Sequence, residues 1–374
     1  MNVLFLTNGP FEHPTSRARV YQYLDFLHNA GVKVTVSPGL SSNQYPIYWG
    51  TAKRTFARAI AVNFVTAQHR ALDLLRANRY DVIVIQRNIL STFVPVFELA
   101  FCRRHPSVVF DYDDLIMSPA FSELIPRNGD GIRSRVFRNR MDLVAKACRH
   151  IIVGSPFLYD RTVELNPRVT LIPSPVDLRR YTPRPDRGAQ DQVVIGWKGS
   201  RATSIYLEQL RPVFESLVQK YGKRMKVVVH GDPAFRPHGP FMEVHPFDLN
   251  TEIAELHSYD IGIMPLHNDE FTLGKCAFKA LEYMAVGVPS VSSPIGFVND
   301  IVHDGVNGFL AETVGQWIAI LSRLVEDADL RRSIGLAGRK TVEERFSIEA
   351  TGPLLLDVLN RAANRCSSSG VHQS

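Results

Sequence analysis

Residues 260–293 read DIGIMPL, HNDEFTLGK, CAFKALEYMAVG and VPSVSS in succession. The first and last runs are short and apolar with no polar alternation. Cys276 to Ala285 between them has helical periodicity, and Gly287 stands where a C′ glycine closes a helix. Strand, helix, strand with fully apolar strands is the pattern of a parallel sheet covered on both faces.

The same alternation extends outward from this stretch. Upstream lie QVVIGW (192–197), a helix over about 204–220, MKVVVHG (225–231) and a short helix over 251–257; downstream, helices are expected over 314–326, 328–345 and 349–363. The first half repeats the scheme with VLFLT (3–7), a helix over 16–30, VKVTVS (32–37), a helix over 55–77, DVIVIQ (81–86), SVVFDYDD (107–114), a helix over 132–147 and HIIVGS (150–155). Both halves therefore read as doubly wound. Pro183 to Gly188 is polar and rich in Pro and Gly, as interdomain linkers are. The expected division is a domain over 1–182, a linker over 183–192, a domain over 193–346, a last helix over 347–364 and a disordered tail over 365–374.

At 374 residues and 42.0 kDa, two domains are also what length alone predicts. With 45% hydrophobic and 21% charged residues, disordered, collagen-like and low-complexity classes are excluded. No apolar run approaches the roughly 18 residues of a membrane-spanning helix, and the first ten residues lack a basic n-region, so a cytoplasmic location is expected. Cys102, Cys148, Cys276 and Cys366 show no paired spacing, which fits reduced thiols rather than a disulfide framework or a zinc site. The net charge of +6 is uneven: residues 1–190 carry 25 Lys and Arg against 15 acids, and residues 191–374 carry 18 against 22. The basic first half suits an anionic partner.

In open parallel sheets ligands bind beyond the carboxyl ends of the strands, so the residues following each apolar run are the candidates. Gly196-Trp197-Lys198-Gly199-Ser200-Arg201-Ala202-Thr203 combines glycines, hydroxyls and two cations ahead of a helix. That composition suits a phosphate held by backbone N–H groups and positive charge, and suits equally a solvated strand-to-helix turn. In the second loop Gly274 permits close approach of the backbone, Lys275 adds a full charge, and Cys276 opens the helix. Glu282 sits in apolar company, where its partner is either a ribose diol or a neighbouring Lys or Arg. In the first half, Gly9 again permits close approach. Ser16 reads as an N-cap, with Arg17 and Arg19 in the turn behind it and Arg17 assigned to the ligand side. Asp111 and Asp113 share one side of a strand, which is one way to hold a cation, while Asp114 can cap the following turn.

Residues 259–310, continued by 315–347, resemble the donor domain of retaining GT-B glycosyltransferases of family 4. The N-terminal strand with its Gly-containing loop, the strand ending in acids and the stretch 151–183 resemble the first domain of the same family, so the likeness covers about the whole chain. The family's Glu-x7-Glu element is half present: Glu282 matches the second Glu, and Gly274 stands at the first. The resemblance implies two Rossmann-like doubly wound parallel-sheet domains facing across a cleft, with the last helix returning to the first domain. It implies transfer of a sugar from a nucleoside-diphosphate sugar to a hydroxyl, with retention. In it Glu282 holds the ribose, Lys198, Arg201 and Lys275 offset the charge of the leaving diphosphate, and Gly9, Gly199, Ser200, Gly274 and Cys276 line the donor. Asp113 and Asp114 match a His-Asp pair at the sugar, which makes Asp113 catalytic and places Asp114 with Arg17 on the acceptor side. Neither metal nor cofactor is expected. The acceptor would be a glycan or a lipid-linked saccharide of cell-surface polysaccharide synthesis. Loss of the first Glu leaves an alternative, a catalytically silent GT-B module that binds nucleotide sugar or glycan as a partner subunit.

Two basic segments remain. Lys53, Arg54, Arg58, Arg70, Arg76 and Arg79 run along an apolar helical stretch opposed only by Asp73, and residues 127–149 hold seven Lys and Arg against two acids. Such segments are usually solvated faces, but basic amphipathic helices also lie on anionic membranes, and the resemblance favours peripheral contact of that kind. No motif with interleaved aromatics supports nucleic-acid binding.

Overall fold

The computed structural model describes residues 1–45, 56–90, 95–115, 132–186, 188 and 191–364, without the side chains of 56–59 and 132–139. The expected tail over 365–374, with Cys366, lies outside the described residues, as do Lys53 and Arg54 and the side chain of Arg58. The chain forms two compact units: Met1–Pro175 together with the chain from Ile348 onward, and Val176–Ser347.

The first unit runs β1 (Asn2–Thr7), α1 (Pro14–Arg19), α2 (Leu24–Asn29), β2 (Lys33–Pro38), α3 (Phe56–Arg76), β3 (Val82–Gln86), α4 (Val96–Arg104), β4 (Val108–Tyr112), α5 (Ile132–Ala147), β5 (His150–Val153), α6 (Pro156–Val163) and β6 (Val169–Leu171). Its six parallel strands lie in the order β2-β1-β3-β4-β5-β6. Alternation along β1 sends Leu4 and Leu6 to one face of the sheet and Val3 and Phe5 to the other, and each face builds its own apolar core.

The second unit runs β7 (Val193–Lys198), α7 (Arg201–Ser204), α8 (Arg211–Tyr221), β8 (Met225–His230), β9 (Met242–His245), α9 (Glu252–Ser258), β10 (Ile261–Met264), α10 (Glu270–Leu273), α11 (Phe278–Ala285), β11 (Ser290–Ser292), α12 (Val298–Ile301), β12 (Phe309–Leu310), α13 (Val314–Glu326) and α14 (Ala328–Arg345). Its parallel strands lie in the order β12-β11-β10-β7-β8-β9. All six residues of β7 are buried, with Val193, Ile195 and Trp197 in one core and Val194 in the other.

The last helix, α15 (Ile348–Asn364), belongs to the first unit. The Ser107 hydroxyl donates to the Ala362 carbonyl at 2.9 Å, the Tyr23 hydroxyl to Thr351 Oγ1 at 2.9 Å, and Gly352 lies against the Phe26 ring.

Several boundaries differ from the sequence-based expectation. The change of unit falls at Pro175 rather than at 183. The Val176 N–H donates to the Phe346 carbonyl at 2.8 Å, Tyr181 is fully buried in the second unit's core, and Arg184 donates to Asp260 Oδ1 at 2.7 Å. Polar composition at 183–186 thus marks a surface strap of the second unit. The helix expected over 16–30 is two helices separated by a tight turn at Tyr21–Tyr23. The one expected over 204–220 is likewise broken, with Pro212 in the first turn of α8, where its missing N–H costs nothing. Strands β6, β9 and β12, two to four residues each, are too short to show a period. Arg70, counted above among the basic residues of a solvated or membrane-facing helix, is wholly buried: its guanidinium donates to the carbonyls of Thr7 (2.7 Å), Ser37 (3.0 Å) and Ile89 (3.2 Å). Cys102 and Cys148 are free thiols with Sγ atoms 3.2 Å apart.

Candidate functional site

Each sheet has one point at which strand order reverses. In the second unit it lies between β7 and β10, and in the first between β1 and β3. Crevices at such points, outside the carboxyl ends of the strands, are where doubly wound sheets bind ligands.

In the second unit β7 ends at Lys198, whose ammonium donates to Glu252 Oε1 and Glu282 Oε1, both at 2.6 Å. Tyr181 donates its hydroxyl to the same oxygen of Glu282 at 2.8 Å, and Arg180 donates to Glu252 Oε2 at 2.7 Å. Two carboxylates and two cations thus balance in a buried chain, with Glu252 fully enclosed and Glu282 only 2% exposed. Of the two partners open for Glu282 at the sequence level, the structure shows the ion pair. Both contacts fall on Oε1, so Oε2 is the atom through which it would reach a ribose. Lys198, expected at the diphosphate, is spent on these carboxylates.

The loop behind Lys198 keeps ligand-facing groups. Arg201 and Ser200 are exposed at the start of α7. Gly199 has no room for a side chain, since a Cβ would lie 2.6 Å from the Trp197 ring and 2.7 Å from Lys279 Cε. Lys279 on α11 lies over the Trp197 ring, 5.4 Å from its centroid, and donates to Thr203 Oγ1 at 3.3 Å. Across the switch point, Lys275 is half-buried with its ammonium 3.9 Å from the Phe271 ring centroid. Cys276 is buried. Gly274 closes α10 in a right-handed conformation, so it is Ala277 that carries the unusual backbone of this loop, at φ 53°. That left-handed residue is why the helix starts at Phe278 rather than at Cys276.

On the neighbouring strands, burial holds His230 neutral, down to about 4, with its Nδ1 hydrogen-bonded to the Tyr259 hydroxyl. Glu255 is shifted upward by the same desolvation, and its Oε2 lies 3.9 Å from His230 Nε2.

In the first unit, Gly9 follows β1 and packs so closely on His13 that a Cβ would lie 2.7 Å from the His13 Cβ. His13, not Ser16, caps α1: the Ser16 N–H donates to His13 Nδ1 at 3.3 Å, and the Ser16 hydroxyl donates to Gln86 Oε1 at 3.2 Å. The His13 imidazole is pushed down to about 3 by burial and by the charges of Arg87 and Arg17. Arg17 is itself buried, donating to the Glu12 carbonyl at 3.4 Å and lying 5.9 Å from the Phe11 ring centroid. Arg19 makes a two-pronged buried pair with Asp111 and donates to the Ile172 carbonyl at 2.7 Å. Asp111 is therefore committed to a cation of the protein, and the Asp-x-Asp spacing does not present two open carboxylates.

Asp113 is the open one. It is 5% exposed, burial raises it to about 6 against the opposing pull of Arg87, and its Oδ1 lies 3.8 Å from Arg87 Nε, too far for a hydrogen bond. Among the described residues, Asp113 Oδ1 and the fully buried Gln86 Nε2 have no hydrogen-bond partner. Asp114 lines a small cavity with Tyr112, Asp142 and Arg161. Among the described residues, Arg87 (φ 58°) and Ala277 are the non-glycine residues at positive φ; Arg87 sits directly behind β3 and Ala277 in the turn between α10 and α11, and strain of this kind gathers at functional sites. Gln86, the last residue of β3, and Arg87, directly behind it, were missed in the sequence although they close an apolar run. Glu252, Arg180 and Tyr181 carried no signal, since their roles arise from contacts 54 to 101 residues away in the chain.

Residues 210–327 match the family model described as glycosyl transferases group 1. The chain is 27% identical over 171 residues to the capsular polysaccharide biosynthesis glycosyltransferase CapM of Staphylococcus aureus, which is 42% of this chain and 43% of that protein. It is 25% identical over 236 residues to a D-inositol 3-phosphate glycosyltransferase of Geodermatophilus obscurus, 54% of this chain and 50% of that one. The chain spans about half the length of these curated relatives. Among solved structures, sucrose-phosphate synthase from Thermosynechococcus elongatus aligns with TM-score 0.68 at 14% identity over 96% of this chain and 98% of its own. Anabaena HepE in complex with UDP and glucose aligns with TM-score 0.63 at 16% identity over 96% and 99%.

Proposed function

We propose that this chain, a GT-B protein in fold whose second unit matches the group 1 glycosyltransferases, moves a sugar from a nucleoside diphosphate to a hydroxyl acceptor with retention at the anomeric carbon. The observation that supports it most is the coincidence, at the switch point of the second sheet, of the Lys198–Thr203 loop with α11 carrying Glu282 and Lys279. The diphosphate would sit over the exposed start of α7, met by Arg201, Lys279 and Lys275, so that charge growing on the leaving group finds fixed cations without a metal. Glu282 Oε2 would take the ribose, with Lys198 holding the carboxylate in place from the other side. Lys198 is thereby a positioning residue in this reading, a different role from direct contact with phosphate.

In the first unit, Asp113 would accept a hydrogen bond from a sugar or acceptor hydroxyl, with Gln86 and Arg87 supplying donors and Arg17 and Asp114 further out on the acceptor side. A carboxyl that titrates near 6 is suited to hold a proton transiently at neutral pH. The acceptor would be a glycan or lipid-linked saccharide of cell-surface polysaccharide synthesis, in line with the name of the Staphylococcus relative, and uridine is the first base to try because HepE binds UDP. Gly274 at the place of the family's first Glu, with Lys198 already paired, supports the second reading, a silent module that binds donor without transferring it.

The test is a thermal-shift and calorimetric screen against UDP, GDP and their sugar conjugates with EDTA present. A nucleotide at a hundred times its dissociation constant should add about 2.7 kcal/mol of stability. Glu282→Gln and Arg201→Ala should each weaken binding tenfold or more. No binding of any nucleotide would sink the proposal, and tight binding without donor hydrolysis or transfer would favour the silent module.

A further inference from the structure

Helix α3 shows solvent a face without charge. Ile60, Phe64, Leu72 and Leu75 are 54%, 64%, 49% and 72% exposed, and Ala61, Gln68 and Ala71 are exposed between them. At 100° per residue these seven positions fall within an arc of about 120°, with Gln68 its one polar member. The opposite side of the helix is anchored in the first unit: Thr66 donates its hydroxyl to the Gly39 carbonyl at 2.9 Å, and Arg70 is buried among carbonyls. The apolar arc is therefore a fixed outward feature of a well-held helix. Single exposed apolar residues need no explanation, but a contiguous stripe along one helix does.

The rim of the stripe is cationic. Arg76 and Arg79 are exposed at its carboxyl end, and on α4 the exposed Arg104 donates to the Leu74 carbonyl at 3.2 Å, with exposed Arg103 beside it. The acids nearby are already engaged: Asp73 takes hydrogen bonds from Arg70 (3.1 Å) and Ser37 (2.7 Å), and Asp81 accepts from the Asn2 N–H at 2.6 Å. Among the described residues no helix is long and apolar enough to cross a membrane.

We propose that this face of α3 lies in the interface of an anionic lipid bilayer, with Ile60, Phe64, Leu72 and Leu75 sunk among the acyl chains and Arg76, Arg79, Arg103 and Arg104 at the headgroups. Charge complementarity selects this occupant, because an apolar stripe whose charged rim among the described residues is made by arginines meets anionic headgroups better than it meets a second, equally basic copy of itself. The sequence pointed to a basic helix here. The structure removes Arg70 from that set by burying it and shows which apolar side chains of the helix face outward. The inference does not depend on the transfer reaction and would stand if the protein proved catalytically silent.

The experiment is sedimentation of the whole protein with phosphatidylcholine vesicles carrying 30% phosphatidylglycerol, and with phosphatidylcholine alone, at 0.05 and 0.5 M NaCl. Binding should require the anionic lipid and weaken with salt. Phe64→Ser/Leu75→Ser should reduce partitioning tenfold or more, and Arg76→Ala/Arg79→Ala should lower it about fivefold per Arg at low salt. Circular dichroism and retained nucleotide stabilisation report folding of both variants, and the arginine variant tests the idea even if the apolar one fails to fold. Absence of binding to anionic vesicles, or equal binding by both folded variants, would overturn the proposal. So would a dimer in light scattering that dissociates in Phe64→Ser, since a second copy would then own the stripe.

Discussion

At Lys198 one ammonium stands between two carboxylates that have been taken out of water. Removing one partner of a buried pair leaves an uncompensated charge and typically costs about 3–5 kcal/mol. Lys198→Met should therefore lower the unfolding free energy of the second unit by about 3 kcal/mol or more, read as a lower urea midpoint, with nucleotide binding weakened alongside because Glu282 loses its support. A change of under 1 kcal/mol in urea unfolding would show that the network of Lys198, Glu252, Glu282 and Tyr181 is not held as described. Asp113 illustrates the complementary case, a carboxyl buried without a full hydrogen-bond complement. Its acidic identity and its place behind a strand were legible in the sequence, but its elevated proton affinity was not, because that comes from enclosure by residues far away in the chain, which outweighs the opposing pull of Arg87. Glu282 was legible as an apolar-context carboxylate with two candidate partners, and only packing chose between them.

Helix α15 shows how a single small residue docks an element. Gly352 faces Phe26 with no space for a Cβ, which would lie 2.8 Å from the ring carbons. Gly352→Val should force the ring or the helix to move and cost about 1–3 kcal/mol, read as a lower melting temperature with unchanged helical content. Equal stability of the variant would mean that Phe26 swings aside freely. The loop ahead of α11 makes a related point: Ala277 in the left-handed region fixes where the helix begins, and no residue-type preference signals it, since alanine is the strongest of helix formers. Most long periodic elements were readable, including α13 and α14, which the structure shows capped by Thr313 and Asp327. The broken helices at 14–29 and 201–221 were not, because tight turns keep nearly helical periodicity while changing direction.

Across the molecule, three buried histidines set an acid limit. His13, His150 and His230 are pushed down to about 3, 4 and 4, chiefly by desolvation. In the unfolded chain each titrates near 6.5, so between that pH and the folded values the unfolded state binds more protons and stability falls as pH falls. His13 alone should remove roughly 2–3 kcal/mol by pH 4.5. Asp113, raised to about 6, works in the opposite sense: its protonation relieves a cost as the pH drops from 6 towards 4. The prediction is a net loss of stability from pH 6.5 to 4.5 in denaturant titrations, flattened in His13→Gln; a flat profile in the unsubstituted protein would contradict the burial of these rings. The two doubly wound sheets, their helices and the strand ends at which ligands bind were legible in the chain alone, because apolar runs and helical periods are local properties. Tertiary structure alone decided where one unit gives way to the other, that Lys198 and Arg70 are buried among acids and carbonyls, and which side of α3 faces outward. Those outcomes depend on which distant groups satisfy a buried charge, and no local pattern encodes that.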